Sequence, residues 1–224
     1  MLAQGGPGSP PFSAFPRPLS AFDRAKAEWL IRNRLPCLGC HELGGQGGRI
    51  GPSLSVLRSA DYVSSMIRDP QRVVPGTIMP RVPMSQATLE LIAGYLAQRE
   101  PTNASPPLAP GPAMARQDSA AVGASAALYA RWCGPCHGIE GRGDGYNASY
   151  LPVRPTVHAD STYMSTRSDD ALFDAIYAGG YVMNRSNRMP PFGQSLAREQ
   201  IWSLVRYLRA LCRCEGPTWA RDNR

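Results

Sequence analysis

The chain carries the same five-residue arrangement twice: Cys37-Leu-Gly-Cys40-His41 and, 96 residues later, Cys133-Gly-Pro-Cys136-His137. These two stretches hold four of the six cysteines and two of the three histidines. A repeat sets how many units a chain builds, so it constrains the fold before local propensity does. Here the repetition extends well past the cysteines. A segment of helical character precedes each motif, at residues 21–34 and 119–132, and a Gly-rich loop follows each. Each half then reaches a Met-Pro pair, Met79-Pro80 and Met189-Pro190. Each closes on a related segment, "LELIAGYL" at 89–96 and "IWSLVRYL" at 201–208.

In the closing segments Leu89, Ile92, Ala93 and Leu96 recur at helical spacing, as do Ile201, Leu204, Val205 and Leu208. Such a stripe is core, not chemistry. Ser85 is placed to cap the first of these helices, with Glu90 near its opening turn. Residues 100–118 are rich in Pro, Ala and Ser, cannot bury a core, and read as a semi-extended linker. Residues 1–20 have a similar composition. Neither half shows a run of alternating β-branched residues, so the expected fold class is all-α, with two tandem domains. The expected boundaries are a tail at 1–20, a first domain at 21–99, the linker, a second domain at 119–213 and a tail at 214–224.

Three chemistries use paired cysteines at this spacing. Trp132-Cys-Gly-Pro-Cys136 is the string of a thioredoxin redox centre, but that centre needs a buried strand before it and a helix after it. Here "SAALYAR" precedes it, and Gly138, Gly141, Gly143 and Gly145 follow. Both contexts are wrong for a dithiol. A zinc site could take four cysteines, but the histidine after each pair would then be a coincidence occurring twice. Covalent haem uses all the fixed positions. Two thiols add to the vinyl groups of one porphyrin, and the next residue lies beneath the iron and supplies an imidazole. A second axial ligand must come from a separate loop, and a Met thioether there raises the potential compared with two imidazoles.

On these motifs each half resembles a class I c-type cytochrome domain, and the tandem resembles the dihaem cytochromes c4, over residues 21–99 and 119–213. The resemblance implies two covalent haem c groups, held by Cys37 and Cys40, and by Cys133 and Cys136. It implies His41 and His137 as proximal ligands, and Met79 and Met189 as distal ones. It also implies that a proline carbonyl fixes each histidine through its other nitrogen, with Pro52 and Pro155 in that position. The long linker, the tail and a longer His-to-Met loop in the second half depart from the pattern and leave the placement of the two domains open.

Other residues compete with these. Met84 falls opposite Leu196 when the closing helices are aligned on Tyr95 and Tyr207, which makes it filler; Met183 lacks the following proline. His158, the histidine outside the motifs, reads as a solvated loop residue, with a bis-histidine second haem as the alternative. Cys212 and Cys214 read as a local disulfide. Arg142-Gly-Asp144 reads as chance, and "GGQGG" lacks the Lys-Ser/Thr of a phosphate loop.

The function expected is single-electron transfer between redox partners by a dihaem cytochrome without a substrate site of its own. The alternative is a dihaem enzyme, a peroxidase or a sulfur-compound dehydrogenase, with one catalytic haem. Expected partners are a membrane-bound oxidase, a quinol-oxidising complex or a reaction centre. The expected location is the bacterial periplasm or the periplasmic face of the inner membrane. No apolar run approaches the roughly 18 residues needed for a membrane span, and no export signal opens the chain. The formal charge of +7 would fall to about +3 once four haem propionates ionise. The basic residues are scattered, so nucleic acid is not an expected partner.

Overall fold

The structure, a computed structural model, describes residues 18–100 and 122–220. The expected tail up to residue 17 and the linker from residue 101 lie outside the described residues, as does the end of the chain from 221. The described chain is mostly helical. In the N-terminal half the elements are α1 (Ala21–Asn33), α2 (Cys37–Cys40), the strands β1 (Glu42–Leu43) and β2 (Gln46–Gly47), α3 (Ala60–Arg68), α4 (Pro70–Val73) and α5 (Gln86–Gln98). The C-terminal half comprises α6 (Val122–Trp132), α7 (Gly134–His137), α8 (Ser161–Met164), α9 (Asp169–Val182) and α10 (Arg198–Cys212).

Local chemistry sets these boundaries. Ser20, Ser59, Ser85 and Ser168 cap α1, α3, α5 and α9, each accepting a hydrogen bond from a backbone N–H of the first turn. The Gln200 side chain accepts from the Ala197 N–H at the start of α10. The β1–β2 hairpin was not foreseen. It is antiparallel, pairing Glu42 with Gly47 and Leu43 with Gln46. Its turn needs two left-handed residues, which Gly44 and Gly45 supply at φ 60° and 81°.

Two hydrophobic clusters form, one in each half. The first packs Ala27 and Ile31 of α1 and Ile67 of α3 against Leu89, Ile92 and Leu96 of α5. The second packs Tyr129 of α6 and Leu172, Phe173 and Ile176 of α9 against Ile201, Leu204, Val205 and Leu208 of α10. All eight residues of the two expected stripes are buried. Each large aliphatic among them contributes about 1.5–3 kcal/mol of burial. Cys212 and Cys214 are joined in a disulfide, their Cα atoms 5.1 Å apart.

The halves touch directly. Asn187 donates to the Leu35 carbonyl at 3.1 Å, the Arg81 N–H to Ser195 Oγ at 2.9 Å, and Arg131 to the Gly76 carbonyl at 2.8 Å. Among the described residues no helix is long and apolar enough to cross a membrane.

Candidate functional site

Each half encloses a largely apolar cavity beside its Cys-x-x-Cys-His motif. The N-terminal cavity, about 170 Å³, is lined by Cys37, Cys40, His41, Pro52, Met79 and Met84, among others. The C-terminal cavity, about 260 Å³, is lined by Cys133, Cys136, His137, His158, Met183 and Met189, among others. Both sets of expected site residues are thus brought together from segments far apart in sequence. Met84, read as filler, and Met183, set aside for want of a following proline, also reach the walls.

In the N-terminal half, α2 is a single turn that puts Cys37 and Cys40 on one face. The His41 N–H closes the turn on the Cys37 carbonyl at 2.9 Å. His41 Nδ1 lies 2.7 Å from the Pro52 carbonyl. A carbonyl only accepts, so Nδ1 carries the proton and Nε2 keeps a free lone pair. The ring is seated against bare backbone: a Cβ on Gly51 would fall 2.4 Å from His41 Cε1. Next to it, the Glu42 carboxylate is buried and accepts from the Ser53 hydroxyl and the Gly45 N–H. This ties the hairpin to the loop that carries Pro52.

The C-terminal half reaches a similar geometry with one change. His137 Nδ1 lies 2.9 Å from the carbonyl of Thr156, not that of Pro155. Successive carbonyls of an extended segment point in opposite directions, and the Pro155 carbonyl faces Gly143, 2.7 Å from where a Cβ would stand. The carbonyl that reaches the imidazole is therefore one residue further along. Burial, only partly offset by the carbonyl bond, holds both imidazoles below their usual pKa, which favours the neutral, ligating form.

His158 is not the solvated loop residue expected from sequence. Its Nδ1 is 2.9 Å from the hydroxyl of the fully buried Tyr129. Its ring stacks on that of His137, with centroids 4.0 Å apart and planes 13° from parallel. Burial, with His137 adding to it, puts its pKa well below the usual value. Two imidazoles stacked side by side cannot face each other across one iron, so this geometry does not make His158 the partner of His137.

Elsewhere in the C-terminal half, α9 is interrupted at Gly179, whose φ is 78°. A Cβ there would fall 2.7 Å from Pro191 N. The interruption seats the Met189-Pro190-Pro191 segment, which is laced to α9 by three bonds of 3.0 Å: Gly180 N–H to the Met189 carbonyl, Phe192 N–H to Ile176, and Gly193 N–H to Tyr177. Met79 has a lighter tether, its N–H donating to Thr77 Oγ1 at 3.2 Å.

The four motif cysteines form no disulfide. Burial pushes the thiols of Cys40 and Cys133 up to about 12 and that of Cys37 to about 11. A thioredoxin-type dithiol requires the opposite shift. Among the described residues no three His, Cys, Asp or Glu side chains gather as a metal-binding cluster. The wall of the larger cavity also includes Arg167 and Arg188. Arg167 Nε and Arg188 Nε and Nη1 are buried and have no hydrogen-bond partner among the described residues. Buried donors of this kind call for an anionic acceptor, and haem propionates are such acceptors. The residues present therefore fit haem: sulfurs, an imidazole with a free Nε2, a methionine in the same cavity wall and cationic donors beside an apolar cavity.

Residues 120–208 match the family of cytochrome c oxidase, cbb3-type, subunit III. That match supports a c-type cytochrome domain in the C-terminal half, with covalently bound haem c as its cofactor. Subunit 2 of a cytochrome c oxidase from Alkalihalophilus pseudofirmus is 32% identical over 72 residues, covering 27% of this chain and 21% of that one. The chain thus spans about a fifth of the length of the curated relative it matches. A solved chain from a reducing HAO-like protein complex of Kuenenia stuttgartiensis aligns over 89% of this chain and 99% of its own, at 19% identity and a TM-score of 0.34. At that score two chains need share no fold.

Several contributors around the cytochrome domain escaped the sequence reading: Tyr129, Asn147, Thr156, Arg167 and Arg188. None lies at a fixed spacing from a motif that would have singled it out.

Proposed function

We propose that the chain is a dihaem c-type cytochrome that passes single electrons between redox partners, with one haem c in each half. The observation that carries this reading is the recurrence of one set of side chains in both cavities: two unpaired cysteines, a histidine tied at Nδ1 to a carbonyl, and a Met-Pro methionine. In this reading Cys37, Cys40, Cys133 and Cys136 hold the porphyrins. His41 with Met79, and His137 with Met189, are the axial pairs. The domains are residues 21–99 and 119–213.

When bound, each haem supplies a one-electron couple. The chain supplies the rest. The Pro52 and Thr156 carbonyls fix the imidazole planes and raise their basicity. The apolar walls would exclude water, and Arg167 and Arg188 are the cationic donors that would take the propionates of a haem in the C-terminal half. With both axial positions filled there is no vacant site for substrate, so the reading is carrier and not enzyme.

The likeness to subunits of two cytochrome c oxidases supports delivery of electrons into a membrane-bound oxidase. Thioether-linked haem and the Cys212–Cys214 disulfide both fit an oxidising compartment, here the bacterial periplasm. The deciding experiment is the pyridine haemochrome content per chain of the purified protein, followed by carbon monoxide addition to the reduced form. Two haems per chain and no rapid carbon monoxide binding are expected. One haem per chain would overturn the dihaem reading. Rapid binding at one haem would favour the peroxidase or sulfur-dehydrogenase alternative.

A further inference from the structure

Asn147 stands where the two halves meet, in the loop that follows Cys136, and is fully buried. Its Oδ1 accepts from the Arg49 N–H at 2.7 Å. Its Nδ2 donates to the Gly39 carbonyl at 2.9 Å and lies 3.3 Å from Cys136 Sγ. A side-chain amide has two N–H donors and one carbonyl, so all three contacts can be made at once. One side chain thereby joins a motif sulfur of the C-terminal half to backbone inside the motif of the N-terminal half.

The fit around it is close. A Cβ on Gly48 would fall 2.8 Å from Asn147 Oδ1, and a Cβ on Gly39 would fall 2.0 Å from the Arg188 carbonyl. The cavities adjoin here as well, because Cys40, Pro80 and Pro190 line both. The approach of the halves is therefore made at the edges where the sulfurs attach.

We propose that Asn147 couples the two redox sites, holding Cys136 Sγ and the Gly39–Cys40 backbone in one hydrogen-bonded unit. This rests on the dihaem reading above. The thioether sulfur is a substituent of the porphyrin, so an N–H donated to it draws electron density from that haem and raises its potential. Exchange of one electron across the contact oxidises one iron from ferrous to ferric and reduces the other from ferric to ferrous, with no proton moved.

The test uses the full haem-loaded chain and two variants, Asn147→Leu and Ser195→Ala. Ser195→Ala removes the Arg81 contact elsewhere on the same interface. Haem content is measured first: one haem per wild-type chain overturns the dihaem reading itself. With two present, electron exchange between the haems after flash reduction of one is expected to slow several-fold in Asn147→Leu. The potential of the second haem is expected to fall, and Ser195→Ala should alter neither. Unchanged exchange and potential in an Asn147→Leu protein that stays compact by small-angle scattering overturn the proposal. Equal effects of the two variants also overturn it, since Asn147 would then act only as one of several docking contacts.

If Asn147→Leu separates the halves, the wild-type protein still decides. The Asn147 side-chain amide should exchange slowly with solvent, and its NMR signals should shift on oxidation of either haem. Signals that respond to one haem alone count against the coupling.

Discussion

In the N-terminal half 11 residues separate His41 from the carbonyl at its Nδ1, whereas in the C-terminal half 19 separate His137 from its own. The later stretch from histidine to Met-Pro methionine is longer too, 38 residues against 52. The N-terminal half closes its short loop with a hairpin and the buried Glu42. The longer loop of the C-terminal half carries the Asn147 bridge and returns His158 against His137. The two halves thus present similar side chains to their cavities, but the C-terminal loop also reaches the neighbouring half at Asn147 and its own motif histidine at His158. The difference teaches that loop length after the motif governs docking while leaving the histidine's carbonyl bond in place.

The strongest way to break this comparison is to remove each cysteine pair in turn. Cys37→Ser with Cys40→Ser, and Cys133→Ser with Cys136→Ser, should each reduce covalent haem from two per chain to one, read by pyridine haemochrome. Retention of two after the first change would mean that the halves differ in chemistry and not merely in loops.

Next in size are the methionines. Met79→Ala and Met189→Ala should each remove about half of the Met–iron charge-transfer absorption and lower the potential of the haem in the altered half. Met84→Ala and Met183→Ala should leave that band intact.

The glycines inside the two motifs sharpen the contrast in docking. Gly39→Ala forces a methyl into the Arg188 carbonyl, and overpacking of this kind costs about 1–3 kcal/mol, visible as a lower Tm. At Gly134 the nearest atoms to a new Cβ are 3.7 Å away. Gly134→Ala should therefore be neutral or should stabilise by up to about 1 kcal/mol, through the reduced backbone entropy of the unfolded chain.

The smallest expected effect is Tyr129→Phe. It removes the hydrogen bond to His158, which has no counterpart in the N-terminal half, and should cost about 1 kcal/mol of stability with both haems retained. Chemical denaturation measures it.

Much of this architecture was legible in the chain. The flanking helices, the buried stripes of α5 and α10 and the cap at Ser85 follow from periodicity and capping chemistry, which act within a few residues. The cysteines and histidines stand out by the spacing of the motif, and the Met-Pro methionines by their recurrence in both halves; the structure brings each set to the wall of one cavity. What stayed hidden depends on contacts across long separations. Thr156 in place of Pro155 turns on which way a single carbonyl points. The stacking of His158 depends on Tyr129, 29 residues away, and the role of Asn147 depends on Gly39, 108 residues away. Helices α3 and α9 also went unread, although Val63, Met66 and Ile67 in α3 and Leu172, Phe173 and Ile176 in α9 recur at helical spacing.

The kink of α9 at Gly179 has a consequence for how fast such a site can work. The Met189 segment is fastened to α9 through backbone bonds, and α9 packs on α10, so the methionine is held by the core of the half and not by a free loop. In the proposed haem site a sulfur on so stiff a mount would keep its place whichever charge the iron carried. Little of the surroundings need rearrange when an electron arrives or leaves, and a small reorganisation energy makes a short electron hop rapid in both directions.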